Sequence, residues 1–330
     1  MVIDNCLSNS ASLIAGGVYN PIGLKRKIKS WNIDQLTEVL APTYREIEEL
    51  LGIRFLNDDL PILKPISSAQ ELTEWTSAIS EDRIAPYVTE LSCEMPNGPF
   101  QPNVVGSVII RHGGFLNMSD AIHSYRQRLM HKGLLWKHSF QHFDLVEDRE
   151  KVVYNDISAD RIIFCDGRYI ASNPFFSWIP MKPTKGQMLT VRVTPFLSPE
   201  RIYNQQFYMF PTSEKDVFRL GATYDWNDLN EEPTEAAKEE LISKVRKALD
   251  IDMEVLEHQA AIRPNVRDRR PVIGSHPDNQ RIMLFNGMGS KGVMLAPYFS
   301  KQMVDHIYEE TVLDPEVDIE RFVRKYYAKD

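Results

Sequence analysis

The chain has 330 residues, of which 43% are hydrophobic and 25% charged, and its formal net charge is −8. That length admits two domains, or one large domain with an insertion. An acidic balance without a basic cluster offers no counter-charge to nucleic acid or an anionic membrane surface, and no apolar run is long enough to span a bilayer.

The first positive charge is Lys25, so the N-terminus lacks the basic region of a secretory signal. Cys6, Cys93 and Cys165 are odd in number and widely spaced, which suits neither a disulfide framework nor a metal site. The expectation is a cytoplasmic protein of enzyme size, with no metal, no nucleic-acid partner and no membrane insertion.

In chain order, Val2 and Ile3 look like the end of a strand closed by the carboxylate of Asp4. A carboxylate at such a place can accept hydrogen bonds from a ribose diol, although a solvated turn aspartate is the commoner case. Small polar residues lead to Ser12, and Ala15, Gly16 and Gly17 then interrupt an apolar run. Paired glycines there let the backbone approach either a ligand or the face of a sheet.

The spacing over 32–52 predicts a helix capped by Asn32 and stopped by Gly52. Short strands and proline-rich loops follow to residue 112, broken by a helix near 69–80. Gly113 and Gly114 precede a helix over 120–132, for which Ser119 is the predicted cap. Strands are predicted at 134–140, 143–146, 151–154 and 161–165, the last running into Asp166 and Gly167. Segments 186–193, 206–211 and 218–224 resemble an antiparallel sheet, and Thr234 is the predicted cap of an amphipathic helix within 233–250.

Segment 259–275 is the densest in chemistry, with Arg263, Arg267, Arg269 and Arg270 inside eight residues. Arg263 alone sits in an apolar context, after Ala260, Ala261 and Ile262 and before Pro264. A guanidinium there can clamp a substrate carboxylate or take part in a structural ion pair. An apolar strand pattern at 281–286 then leads into Gly287, Met288, Gly289, Ser290, Lys291 and Gly292, followed by a helical pattern over 293–308. This is a G-x-G-x-x-G placed so that a helix N-terminus can face an electron-rich ligand group. It is not a dinucleotide fingerprint, because no second strand with an acidic end follows about 20 residues on.

The ordered set of segments resembles the FAD-dependent D-amino-acid oxidase superfamily, in its glycine oxidase and sarcosine oxidase branch. The resemblance is carried by Val2 to Asp4, Ser10 to Pro21, Arg263 to Gly274 and Gly287 to Pro297. Lesser support comes from 113–119, 164–167, Lys185 with Gly186, 208–211 and 221–223. It implies an α/β fold, with a Rossmann-like FAD-binding domain of the glutathione-reductase type and an α+β substrate domain built on an antiparallel sheet. The expected division is 1–52, 113–184 and 259–330 for FAD, and 53–112 with 185–258 for the substrate.

In that family the glycine fingerprint lies on a first strand–helix unit of about 30 residues, ahead of the strand matching Val2 to Asp4. The sequence begins at that strand, so the expectation is an N-terminally truncated FAD domain, with a start assigned too far downstream favoured over a real truncation. Loss of this unit is expected to weaken both FAD affinity and stability.

By resemblance, Asp4 holds the adenosine ribose, and Ser12, Ala15, Gly16 and Gly17 lie along the pyrophosphate and flavin. Gly287, Met288, Gly289, Ser290, Lys291 and Gly292 face the pyrimidine end of the ring. Arg263 binds the substrate carboxylate, with Tyr208 as a second contact. Lys291 is a candidate for tuning oxygen reactivity, against the commoner case of a solvated turn lysine. The implied reaction is oxidation of the C–N bond of a small amino acid or N-substituted amino acid by hydride transfer to flavin, with O₂ or another acceptor taking the electrons. The alternatives are a flavin domain of the tRNA-modification type, and a chain that no longer binds FAD.

Overall fold

The computed structural model describes residues 1–80, 84–147 and 150–327. Its largest element is an eight-stranded sheet in the order Asp252–Arg263, Thr184–Thr194, Val217–Gly221, Tyr208–Pro211, Ile202–Asn204, Ile62–Ile66, Gly106–Ile110 and Val88–Ser92. All neighbours run antiparallel except Ile202–Asn204 beside Ile62–Ile66. Two stretches far apart in sequence therefore build one sheet. One face packs against the helix Glu235–Arg246, where Leu241 and Val245 are fully buried with Leu189, Phe218 and Leu220.

The other layer is α/β. Val2–Ile3 pairs in parallel with Leu135–Trp136, and Ile162–Phe164 pairs in parallel with Asn279–Asn286, which turns back antiparallel onto Val272–His276. Helix Ile33–Leu51 presents Ile33, Leu36, Leu40 and Tyr44 to the core, one per turn, as amphipathic spacing requires. It packs against Gly292–Glu309, and the Tyr44 hydroxyl donates to the Val293 carbonyl at 2.9 Å. This contact fixes the end of the helix that follows the glycine motif.

Several caps differ from the sequence expectation. Asn32 takes a left-handed conformation (φ 51°) and makes no side-chain cap, while Gly52 closes that helix in the left-handed region (φ 69°). Helix Met118–His131 is capped by Asn117, whose side chain accepts from the Asp120 amide, and Ser119 lies inside it. Thr234 precedes Glu235–Arg246, yet its hydroxyl accepts from Gln187 instead of capping the helix. At the second and third of these helices a better-placed partner, Asn117 two residues away or Gln187 across the sheet, takes the bond that the local pattern suggested.

Candidate functional site

The glycine motif and Arg263 are brought together by one strand end. Strand Asp252–Arg263 continues into Asn265, which bridges to Met288 and donates its side-chain amide to Thr184 Oγ1 at 2.6 Å. Gly289, with φ 55°, lies so close that a Cβ would come within 2.4 Å of the Asn265 oxygen. Gly287 serves the turn itself: φ is 76°, and a Cβ would meet Val266 at 2.6 Å. A fold-defining reason therefore accompanies two of the motif's three glycines.

A cavity of about 1550 Å³ runs between the two layers. Asp4, Ser12, Ala15, Gly16, Gly17, Tyr208, Arg263, Met288, Gly289, Ser290, Lys291 and Gly292 all line it, whereas Gly287 does not. The volume exceeds the 300–1,000 Å³ usual for a single small ligand. One long void thus joins residues spread from the first strand to the last long helix.

At one end, Asp4 accepts from the Cys6 amide at 2.8 Å with one carboxylate oxygen. Its other oxygen takes Arg126, at 2.9 Å to Nε and 2.8 Å to Nη2. A carboxylate offers roughly four acceptor positions, so capacity for a hydroxyl group remains. No local pattern in the sequence marks Arg126. It lies on helix Met118–His131, and nothing local ties it to Asp4.

At the other end, the Arg263 guanidinium is oriented by backbone. Nη1 donates to the Thr223 carbonyl at 3.1 Å and to that of Lys185 at 3.4 Å. Its carbon lies 4.3 Å from the centre of the Tyr224 ring. Gly186 makes the seat: a Cβ there would fall 2.1 Å from Nη2. Among the described residues no carboxylate pairs with Arg263, so the structural ion pair that the sequence allowed is not formed. Burial disfavours the charge and lowers the group's pKa.

The other arginines of the loop go elsewhere. Arg270 stacks on Trp31 at 4.1 Å and pairs with Glu316, and Arg267 reaches the Tyr326 hydroxyl.

Tyr208 receives a hydrogen bond from Asn20 Nδ2 at 3.1 Å, and burial pushes its phenol up to about 12. The hydroxyl therefore keeps its proton at neutral pH. Lys291 is exposed to the cavity as a residue, whereas its ammonium sits 3.4 Å from the buried Ser30 hydroxyl. Surrounding protein lowers its pKa, with the charge of Arg270 adding to the effect. The residue stays exposed, as a turn lysine would, while its ammonium turns toward Ser30. Behind the motif, Asn286 donates to Asp166 at 2.8 Å and accepts from the Gly287 amide at 2.7 Å, tying this turn to the end of Ile162–Phe164.

The family model for FAD dependent oxidoreductases matches residues 5–306. The chain belongs to that family. Glycine oxidase of Bacillus licheniformis is 33% identical over 127 residues, covering 38% of this chain and 34% of the relative. A tRNA 5-methylaminomethyl-2-thiouridine biosynthesis bifunctional protein of Marinobacter nauticus is 30% identical over 142 residues, covering 39% and 22% respectively. These matches span about a third or less of the relatives' own lengths. The solved glycine oxidase of Geobacillus kaustophilus superimposes with a TM-score of 0.77 at 17% identity, over 97% of this chain and 90% of that one. At that identity the likeness is one of fold.

Family membership makes FAD the cofactor, and the cavity fits it on its own terms. It is continuous, it has acceptor capacity at Asp4, and it is bounded by Gly16, Gly17 and the start of an 18-residue helix at Gly292. Among the described residues no helix is long and apolar enough to cross a membrane.

Proposed function

We propose that the chain oxidises the C–N bond of a small amino acid or N-substituted amino acid. FAD supplies the two-electron redox chemistry when bound, and the protein supplies position. In this reading the FAD-binding part comprises 1–52, 113–184 and 259–330, and the substrate part 53–112 and 185–258. Asp4 takes the ribose, Ser12 and Ala15 to Gly17 flank the middle of the cofactor, and Met288 to Gly292 lie at its ring end. Positive potential from the helix start at Gly292 and from the Lys291 ammonium favours negative charge developing there. Tyr208, held protonated, donates to the substrate. Removal of the substrate's amine proton is left to solvent, because a neutral amine needs no general base.

The observation that carries this reading is Arg263, a guanidinium without a carboxylate partner among the described residues, seated on bare backbone and facing the cavity. A buried charge lacking its counter-ion is unfavourable until a ligand provides one. Oriented donors bind a carboxylate in two-pronged fashion and hold its neighbouring carbon in reacting geometry. In the FAD-loaded protein, Arg263→Met is expected to raise KM for glycine or N-methylglycine by about 100-fold or more. An unchanged KM would sink the clamp assignment. The tRNA-modification alternative draws on the Marinobacter relative, while a net charge of −8 gives a polyanion little to hold.

A further inference from the structure

Lys185 is the most deeply buried charged side chain of the molecule's central sheet, with 0% of it exposed. Its ammonium donates to Asp228 Oδ2 and Asn230 Oδ1, both at 2.7 Å. Its backbone amide donates to the Asp225 carbonyl at 2.8 Å, and its carbonyl accepts from the Asp225 amide at 3.0 Å and from Arg263. One residue thus joins the carboxylate clamp to the exposed segment 224–230.

Two residues on, the same face of the strand repeats the arrangement. The Gln187 amide donates to Thr223 Oγ1, and its side chain exchanges hydrogen bonds with Thr234 at 3.0 and 2.8 Å. Two inward-facing residues on one strand therefore hold both ends and the middle of a strap. Further along, Glu231 crosses to the opposite layer and pairs with Arg168 at 2.9 Å.

A fully buried ammonium is a poor means of gaining stability. Its desolvation offsets most of the attraction to Asp228, and such pairs are better suited to selecting one arrangement. What this strap arranges is Tyr224, a residue 54% exposed, whose ring lies over the Arg263 guanidinium. Any side chain on a substrate carbon held beside that guanidinium must share the space with the ring.

We propose that Lys185 is a positioning residue which, through Asp228 and Asn230, fixes Tyr224 as the specificity-determining wall of the carboxylate site, restricting it to small substrates. The inference rests on the reading of Arg263 as the clamp. Truncating the wall opens room for additional methylene groups, and freeing the strap has the same consequence because Tyr224 no longer keeps its place.

The test compares kcat/KM for glycine and for its longer homologue 2-aminobutyrate in the FAD-loaded protein. Tyr224→Leu is expected to shift the ratio toward 2-aminobutyrate by about tenfold, whereas Tyr224→Phe preserves it. Lys185→Met should reproduce the shift and accelerate chymotryptic cleavage at Trp226. The double variant Lys185→Met/Tyr224→Leu should go no further than either single change, as expected for residues acting in one chain of contacts. Where Lys185→Met fails to accumulate, Asp228→Ala on the exposed strap carries the same comparison.

A purely structural role for Lys185 would lower the melting temperature and leave the ratio alone, which overturns the proposal, as does an unchanged ratio in Tyr224→Leu. If Arg263→Met raises KM while Tyr224→Leu keeps its selectivity, only this inference falls. If Arg263→Met leaves KM unchanged, the clamp reading falls and takes the inference with it.

Discussion

The two ends of the cavity are built differently. At the Arg263 end the binding groups are held in place by neighbouring backbone and side chains. Arg263 is held by two carbonyls and a glycine seat, and Lys185 and Gln187 fasten the strap that carries Tyr224. At the Asp4 end, capacity is left over. Val2–Ile3 and Ile162–Phe164 each pair on one side only among the described residues, and Val2 and Ile163 are 42% and 41% exposed. The contrast separates two ways of making a binding site. One end is preorganised, so its ligand loses little by binding to it. The other offers apolar surface and free acceptors that gain only when something covers them.

The sharpest way to break the preorganised end is Gly186→Ala. The new methyl would overlap the guanidinium, and the movable partner is the tip of a side chain, so the sheet survives while the clamp is pushed aside. KM for the carboxylate substrate should rise by about 100-fold, with the melting temperature lowered by only a few degrees, about 1 kcal/mol. A steady-state assay beside a thermal melt checks both, and a large melting shift with an unaltered KM contradicts the seat.

At the open end the expected effect is smaller. Asp4→Ala removes one charged acceptor and leaves Arg126, 17% exposed, without its partner. FAD should bind on the order of tenfold more weakly, with kcat unaffected once FAD is saturating. Fluorescence titration of FAD measures this, and equal affinity would place the ribose elsewhere.

The smallest effect concerns Lys291. Burial lowers its folded-state pKa below the ordinary 10.5, so the folded protein holds its proton less tightly than the unfolded chain does. That penalty is fully present at pH values below the folded pKa, shrinks as pH rises through it, and is gone above 10.5. Lys291→Met should therefore be slightly more stable than the parent at neutral pH, with the advantage fading in alkali. Denaturant midpoints across pH test the sign, and a destabilised variant at pH 7 would show that the ammonium has a stabilising partner instead.

Much of the architecture was legible because it is written in short-range patterns. Apolar residues at one per turn mark Ile33–Leu51 and Gly292–Glu309, and a strand, glycines and a helix in succession mark the motif at 287–292. Arg263 stood out through its apolar neighbours alone, and the paired glycines at 16 and 17 through their setting in an apolar run. Placement of these residues around one void was beyond such patterns, as the caps show on a small scale. Asn117 displaced Ser119, and Gln187 took the hydroxyl of Thr234.

Sequence by itself determined the long helices and most of the strands, the family resemblance, and the residue types available for binding a nucleotide and a carboxylate, because each follows from periodicity or from a few adjacent residues. Tertiary structure alone decided that Arg126 would hold Asp4, that Gly186 would seat Arg263, and that Lys185 would fasten a strap some 40 residues downstream. Those choices depend on strand register and on which buried charge meets which partner, and both are set by the whole sheet at once.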